Sequence, residues 1–191
     1  MSLYKKNETF QFVVYRENFL SSDECDKLIK TLDKDLTEGT IVGDYTTDKV
    51  NKNIRNTLNK PFKADTLGNK INSAVVVANI NFFNYDIDKI DGLRFLKYGI
   101  GGTYNWHTDY GRNQCSMRKL TAVVQLSDEK DYEGGDFEFG ITDAKGNDLV
   151  VGNKSKGCLM IFPSFLSHRV APITKGTRYS IITWMEGDTF R

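Results

Sequence analysis

Histidine is nearly absent from this chain: it occurs twice in 191 residues, at positions 107 and 168. Cysteine is almost as scarce. Cys25, Cys115 and Cys158 are odd in number, far apart and without a CxxC spacing, which argues against a disulfide framework and against a zinc knuckle. A reducing cytoplasm is the expected setting. No stretch of about 18 apolar residues exists to span a bilayer, and the opening MSLYKKNETF lacks the apolar core of a signal peptide. Neither membrane insertion nor secretion is expected. An excess of one charge is missing too, since 26 Lys and Arg against 25 Asp and Glu leave a formal net charge of +1. That is too little to collect a phosphate backbone, so nucleic acid is not an expected partner. Internal repeats and low-complexity tracts are also lacking.

What is present reads as one folded domain over 1–191, with a helical part to about 90 and a sheet core over about 91–187. After a strand-like run from Phe10 to Tyr15, the segment SSDECDKLIKTLDKD carries a capping-box pattern at Ser21 and Glu24. Cys25, Leu28, Ile29 and Leu32 follow at helical spacing. Leu67, Ile71, Ala74, Val75 and Ala78 mark a second helix by the same rule. Between them, about Thr37 to Lys63 is polar and aperiodic and is expected to be a long loop able to cover a site. From Leu93 the chain changes to short aromatic and β-branched runs: LRFLKY, KLTAVVQL, DFEFG, CLMIF and RYSIITWM, separated by turns such as EGGD and AKGND. The expected class is α+β: a double-stranded β-helix, or jelly roll, with the N-terminal helices packed on one sheet. The charged stretch from Lys130 to Lys156 reads as a solvated hairpin without a binding role.

The two histidines fall where they matter. In YNWHTDY, His107 and Asp109 are two apart, and on a strand residues i and i+2 share a face. His168 follows 61 residues later in FPSFLSHRV. Two imidazoles and one carboxylate can hold an octahedral ion by one side and leave the other positions open for reactants, as a non-haem iron needs. Zinc is the rival, because the same donor set occurs in zinc hydrolases. What zinc leaves unexplained is Arg178, ten residues past His168 in TKGTRYSIITW. A guanidinium there suits a carboxylate through two parallel hydrogen bonds.

Three runs, YGIGGTYNWHTDYG, LTAVVQLSDEKDYEGGDFEF and KGCLMIFPSFLSHRVAPITKGTRYSIITW, together resemble the prolyl 4-hydroxylase-like branch of the 2-oxoglutarate/Fe(II) oxygenases, including bacterial and phage hydroxylases of the PKHD type. The helix FLSSDECDKLI looks like the usual opening of that branch. The resemblance implies that His107, Asp109 and His168 ligate Fe(II) and that Arg178 pairs with the distal carboxylate of 2-oxoglutarate. Tyr98, Tyr104 and Thr121 are implied to line the co-substrate pocket. Gln125 stands where many animal and plant prolyl hydroxylases have a tyrosine that helps to hold that carboxylate; an amide can donate the same hydrogen bond. Trp184 is expected to pack in the core behind the co-substrate. The implied reaction consumes O2 and 2-oxoglutarate, with ascorbate as an accessory reductant, hydroxylates an unactivated C–H bond, and releases succinate and CO2. Asp109 favours hydroxylation, because halogenases of the superfamily vacate that position for chloride. A peptidyl proline is the first substrate the resemblance suggests, so a peptide or protein partner is expected, in a bacterial or phage-infected cell. A free amino acid or other small molecule is the alternative substrate, and a catalytically silent jelly-roll binding module the alternative of another class.

Overall fold

The structure, a computed structural model, describes residues 12–41, 49–140 and 150–189. Two helices lie in the N-terminal half, interleaved with short strands. The first, α1, spans Ser22–Leu32 and is closed at its start by a reciprocal capping box: the Ser21 hydroxyl accepts from the Glu24 N–H, and the Glu24 carboxylate accepts from the Ser21 N–H. The second, α2, spans Asp65–Ala78 and buries Leu67, Ile71, Ala74, Val75 and Ala78, the five residues whose spacing predicts it. It runs on into one π-helical turn, Asn79–Phe83, that ends at Asn84 in the left-handed region. No helix among the described residues is long and apolar enough to cross a membrane.

The strands are antiparallel throughout. Among the described residues they form an eight-stranded sheet, a five-stranded sheet and a two-stranded ribbon. At the centre of the large sheet Arg178–Glu186 lies between Arg118–Gln125 and Leu93–Tyr98. The small sheet runs Val150–Val151, Phe137–Phe139, His168–Val170, Thr103–His107, Arg55–Asn56.

Strand alternation sorts the large sheet's side chains into two layers. Phe95, Ala122, Val124, Leu159, Ile161, Ile181 and Met185 join α1 and α2 in one apolar cluster. Their neighbours Leu96, Val123, Met160, Phe162, Ile182 and Trp184 join Phe137, Phe139 and Val170 of the small sheet in a second. The large sheet is therefore dry on both faces, and the space between the two sheets is where a cavity opens.

The segment expected to be one long loop over Thr37 to Lys63 contains three strands instead: Thr37–Glu38, Arg55–Asn56 and Leu58–Phe62. The last pairs along Leu93–Tyr98, and its inward residue Asn59 is polar while Leu58 is exposed. Backbone pairing at the sheet margin, without apolar alternation, explains why the periodicity is silent there. Residues 42–48 of that segment, the first two of the run Phe10 to Tyr15, the turn AKGND and the middle of the stretch from Lys130 to Lys156 lie outside the described residues. All three cysteines are buried and outside any disulfide among the described residues.

Candidate metal and co-substrate site

The strand Thr103–His107 is aimed by the glycine turn before it. Gly101 has φ +75°, and a Cβ on Gly102 would lie 2.6 Å from the Gly99 carbonyl oxygen, so only glycines let the chain turn this tightly into the strand. On that strand His107 is paired directly with His168 of the adjacent one. The His107 Nδ1 lies 2.7 Å from the Asn105 carbonyl oxygen and the His168 Nδ1 2.8 Å from that of Leu166. Each carbonyl needs a donor, so both Nδ1 atoms carry the proton and both Nε2 atoms present a lone pair.

Asp109 completes the group by a different device from strand alternation, because the strand ends at His107. The backbone N–H groups of Asp109 and Tyr110 both donate to the Ser164 carbonyl at 2.9 Å, which folds the carboxylate back toward the imidazoles. Its Oδ1 lies 3.9 Å from His107 Nε2, and its Oδ2 lies 3.6 Å from His168 Nε2. One ligand atom from each of the three residues falls within 4.8 Å of the others. Thr121 donates to Asp109 Oδ2 at 2.8 Å and lies 3.0 Å from the Ser164 hydroxyl.

Electrostatics suit a cation. Burial pushes the His107 imidazole down to about 4, and the nearby His168 acts in the same direction, so His107 is neutral near pH 7. Burial alone would raise the Asp109 carboxyl; the adjacent His168 and His107 rings and the Thr121 hydrogen bond outweigh it and hold it below the usual carboxylate range. The Trp184 indole N–H stands close enough to add to this effect without closing a hydrogen bond. Two imidazole Nε2 atoms and one carboxylate, each oriented by a second bond, form a donor set that could hold a divalent first-row ion with open positions.

The triad opens on a cavity of about 100 Å³. Arg178 lines it and is 2% exposed. Its Nη1 donates to the Ser180 hydroxyl at 3.3 Å, and its guanidinium lies 5.6 Å from the Tyr98 ring centre. No acidic side chain among the described residues lies within 4.0 Å of it. A buried guanidinium without a counter-ion is costly, and its position calls for an anion from outside the chain.

Tyr98 and Tyr104 both line the same cavity. The Tyr104 ring stacks on His107 with centres 3.5 Å apart, and burial pushes its phenol up to about 12. Thr121 and Gln125 are not among the lining residues. The Thr121 hydroxyl is engaged behind Asp109, and the Gln125 amide donates to the Ser127 carbonyl at 3.1 Å and to Tyr132 Oη at 3.2 Å. Trp184 is on the wall, though away from Arg178 along the same strand. Sequence reasoning missed the support from Ser164 and the contribution of Arg55, Arg94 and Arg118 to the lining. Arg55 carried no signal because its segment reads as loop; Arg94 and Arg118 sit inside or at the start of recognisable strands, where alternation could have flagged them.

The family model described as the 2OG-Fe(II) oxygenase superfamily matches residues 93–186. A PKHD-type hydroxylase of Gloeothece citriformis is 33% identical over 101 residues, covering 51% of this chain and 44% of its own. Another, of Teredinibacter turnerae, is 36% identical over 104 residues, covering 52% and 44%. The match thus spans less than half the length of these relatives. Among solved structures, a Pseudomonas putida prolyl-4-hydroxylase superposes with a TM-score of 0.71 at 20% identity over 93% of both chains. A Trichoplax adhaerens prolyl hydroxylase, solved with a hypoxia inducible factor peptide fragment, gives 0.74 at 21% identity over 92% of this chain and 83% of its own. At these identities the two structures speak for the fold, a mostly antiparallel jelly roll with few helices.

Proposed function

We propose, from its match to the 2OG-Fe(II) oxygenase superfamily over residues 93–186, that the chain is a 2-oxoglutarate-dependent dioxygenase that hydroxylates an unactivated C–H bond, with a peptidyl proline as the leading substrate. The observation that carries the reading is Arg178: a buried guanidinium without an acidic partner among the described residues, in the same cavity as His107, Asp109 and His168. A zinc hydrolase would give that charge no task. When bound, Fe(II) and 2-oxoglutarate supply the oxidising power with O2, and succinate and CO2 leave.

The chain's own residues position and exclude. His107 and His168 present Nε2 because backbone carbonyls hold their Nδ1 protons, and Asp109 is turned inward by Ser164 and Thr121. Arg178, with its guanidinium over Tyr98, would receive the distal carboxylate of 2-oxoglutarate. The apolar wall of Leu96, Val123, Val170 and Ile182 keeps water from the reacting bond. The prolyl assignment draws on the relatives, whose names are PKHD-type hydroxylase and prolyl-4-hydroxylase. A free amino acid or other small molecule is the second reading, favoured by the small cavity of about 100 Å³.

The deciding experiment is anaerobic titration of the apo-protein with Fe(II) and 2-oxoglutarate, following the weak visible charge-transfer band. The expected result is a saturable band that His107→Ala abolishes. Its absence in the unaltered protein, or its persistence in the variant, refutes the site. Mass spectrometry of proline-containing peptides, for a gain of one oxygen, tests the substrate.

A further inference from the structure

The cavity wall carries more positive charge than the co-substrate can use. Among the described residues four guanidiniums line it, those of Arg55, Arg94, Arg118 and Arg178, against the one carboxylate of Asp109. Strand register separates them. Along Arg178–Glu186 the wall residues are Arg178, Ser180, Ile182 and Trp184, and on the neighbouring strand Tyr98 lies opposite Arg178, Leu96 opposite Ser180 and Arg94 opposite Ile182. Arg94 is therefore four residues along from Arg178, roughly 13 Å at the rise of a strand, beyond the length of one small dicarboxylate held at Arg178.

At that far end two guanidiniums gather on one indole. Arg118 lies 3.7 Å from the centre of the Trp184 ring and Arg94 lies 5.7 Å from it. Arg118 has a distant acidic neighbour, Asp91 at 3.8 Å, while Arg94 forms no ion pair among the described residues. Across the mouth Arg55 lies over Tyr104 at 4.7 Å. Among the described residues, the buried side-chain nitrogens and oxygens without a hydrogen-bond partner are Arg55 Nε, Arg118 Nε and Trp184 Nε1, and all three residues line this cavity. Like charges collected beside unpaired donors are unfavourable until an anion joins them.

We propose that the primary substrate carries a carboxylate beside the bond to be hydroxylated, and that Arg94 and Arg118 over Trp184 form its recognition site, with Arg55 opposite. This rests on the oxygenase reading and narrows its substrate class. The carboxylate is either the α-carboxylate of a free amino acid or an acidic side chain next to the target residue of a peptide. The charges then divide cleanly: the metal and Arg178 answer 2-oxoglutarate, and the far arginines answer the substrate.

The test is calorimetric binding to the protein loaded with Mn(II) and 2-oxoglutarate under nitrogen. Two matched pairs serve as probes: L-proline against L-prolinamide, and acetyl-Glu-Pro-Glu-amide against acetyl-Gln-Pro-Gln-amide. In at least one pair the acid is expected to bind about 10-fold or more tightly than its amide, and the preferred pair identifies the carboxylate's source. Arg94→Gln should bring that preference below about 3-fold while 2-oxoglutarate affinity stays within about 2-fold; Arg118→Gln is the second variant should either fail to fold. Equal binding within both pairs, lack of binding by both acids, or a preference that survives both substitutions overturns the proposal. Failure of the parent reading shows earlier and separately, as an inability of 2-oxoglutarate to bind the Mn(II)-loaded protein before any probe is added.

Discussion

The two ends of the cavity are built to opposite rules. Around His107, Asp109 and His168 the supporting bonds are closed within the chain: two carbonyls hold the Nδ1 protons, and Ser164 and Thr121 hold the carboxylate. Toward Arg178 and the mouth, charges and donors are left open: among the described residues no acidic side chain lies within 4.0 Å of Arg178, and Arg55 Nε and Arg118 Nε have no acceptor. The closed end costs nothing to reorganise when an ion arrives, so its geometry is fixed before binding. The open end is held only in part by the chain, through Arg178 to Ser180, Arg55 to the Thr40 carbonyl and Arg118 to the Asp109 carbonyl, and keeps its remaining donors for what enters it.

The comparison breaks most readily at its closed end. Asp109→Ala removes the only carboxylate of the triad, and Fe(II) affinity should fall by more than about 100-fold, beyond what loss of a supporting residue does. Metal content after dialysis against Fe(II) reads this directly, and retained stoichiometric metal would show that Asp109 is not a ligand. At the open end, Arg178→Met should weaken 2-oxoglutarate binding roughly 30-fold or more, the effect of about 2 kcal/mol or more for truncating one partner of a buried charge pair. The same change should leave the melting temperature of the apo-protein level or higher, because an apolar side chain replaces an unpaired buried charge. A large loss of apo stability would mean that Arg178 is structural.

The division between the ends also governs what the sequence could tell. Both helices were legible because the capping box of Ser21 with Glu24 and the spacing from Leu67 to Ala78 are local signals. The two histidines stood out through scarcity, and the structure brings both together with Asp109. Strand alternation did not explain Asp109, however, since its orientation comes from a carbonyl 55 residues away in sequence, on Ser164. Leu58–Phe62 was opaque because its pairing is a backbone matter and its one buried residue, Asn59, is polar. The arginines of the mouth come from three separate strands, and no single stretch of sequence records that they meet.

A smaller effect separates support from ligation. Thr121→Val keeps the side chain's shape and removes the hydroxyl that donates to Asp109, so Fe(II) affinity should fall about 10-fold, at the lower edge of the range for an outer partner. No change would make Ser164 alone sufficient to orient the carboxylate. The closed end also predicts a pH response. The folded His107 lies at about 4, below its ordinary value near 6.5, so the unfolded chain binds the proton more tightly. Stability of the apo-protein is therefore full above the unfolded value and is lost as pH falls through about 6.5 toward 4, by about 1 kcal/mol between pH 7 and pH 5.5. Thermal melts should drop by roughly 2–4 °C over that interval, and His107→Gln should flatten the slope. An equal slope in that variant would assign the response elsewhere.

The smallest expected effect marks where the open end stops. If Gln125 helped to hold the distal carboxylate of 2-oxoglutarate, its amide would have to be free to donate into the cavity. Both observed donations from its nitrogen go instead to the Ser127 carbonyl and the Tyr132 hydroxyl, and the residue does not line the wall. Gln125→Leu should consequently change 2-oxoglutarate affinity by less than about 2-fold, the size of an effect without a direct contact. Some loss of thermal stability should accompany it, since the Ser127 carbonyl and the Tyr132 hydroxyl lose a buried donor. A 10-fold loss of 2-oxoglutarate affinity with an unchanged melt would reverse the assignment: the amide would then turn toward the ligand on binding, and the open end would reach one strand further than Arg178.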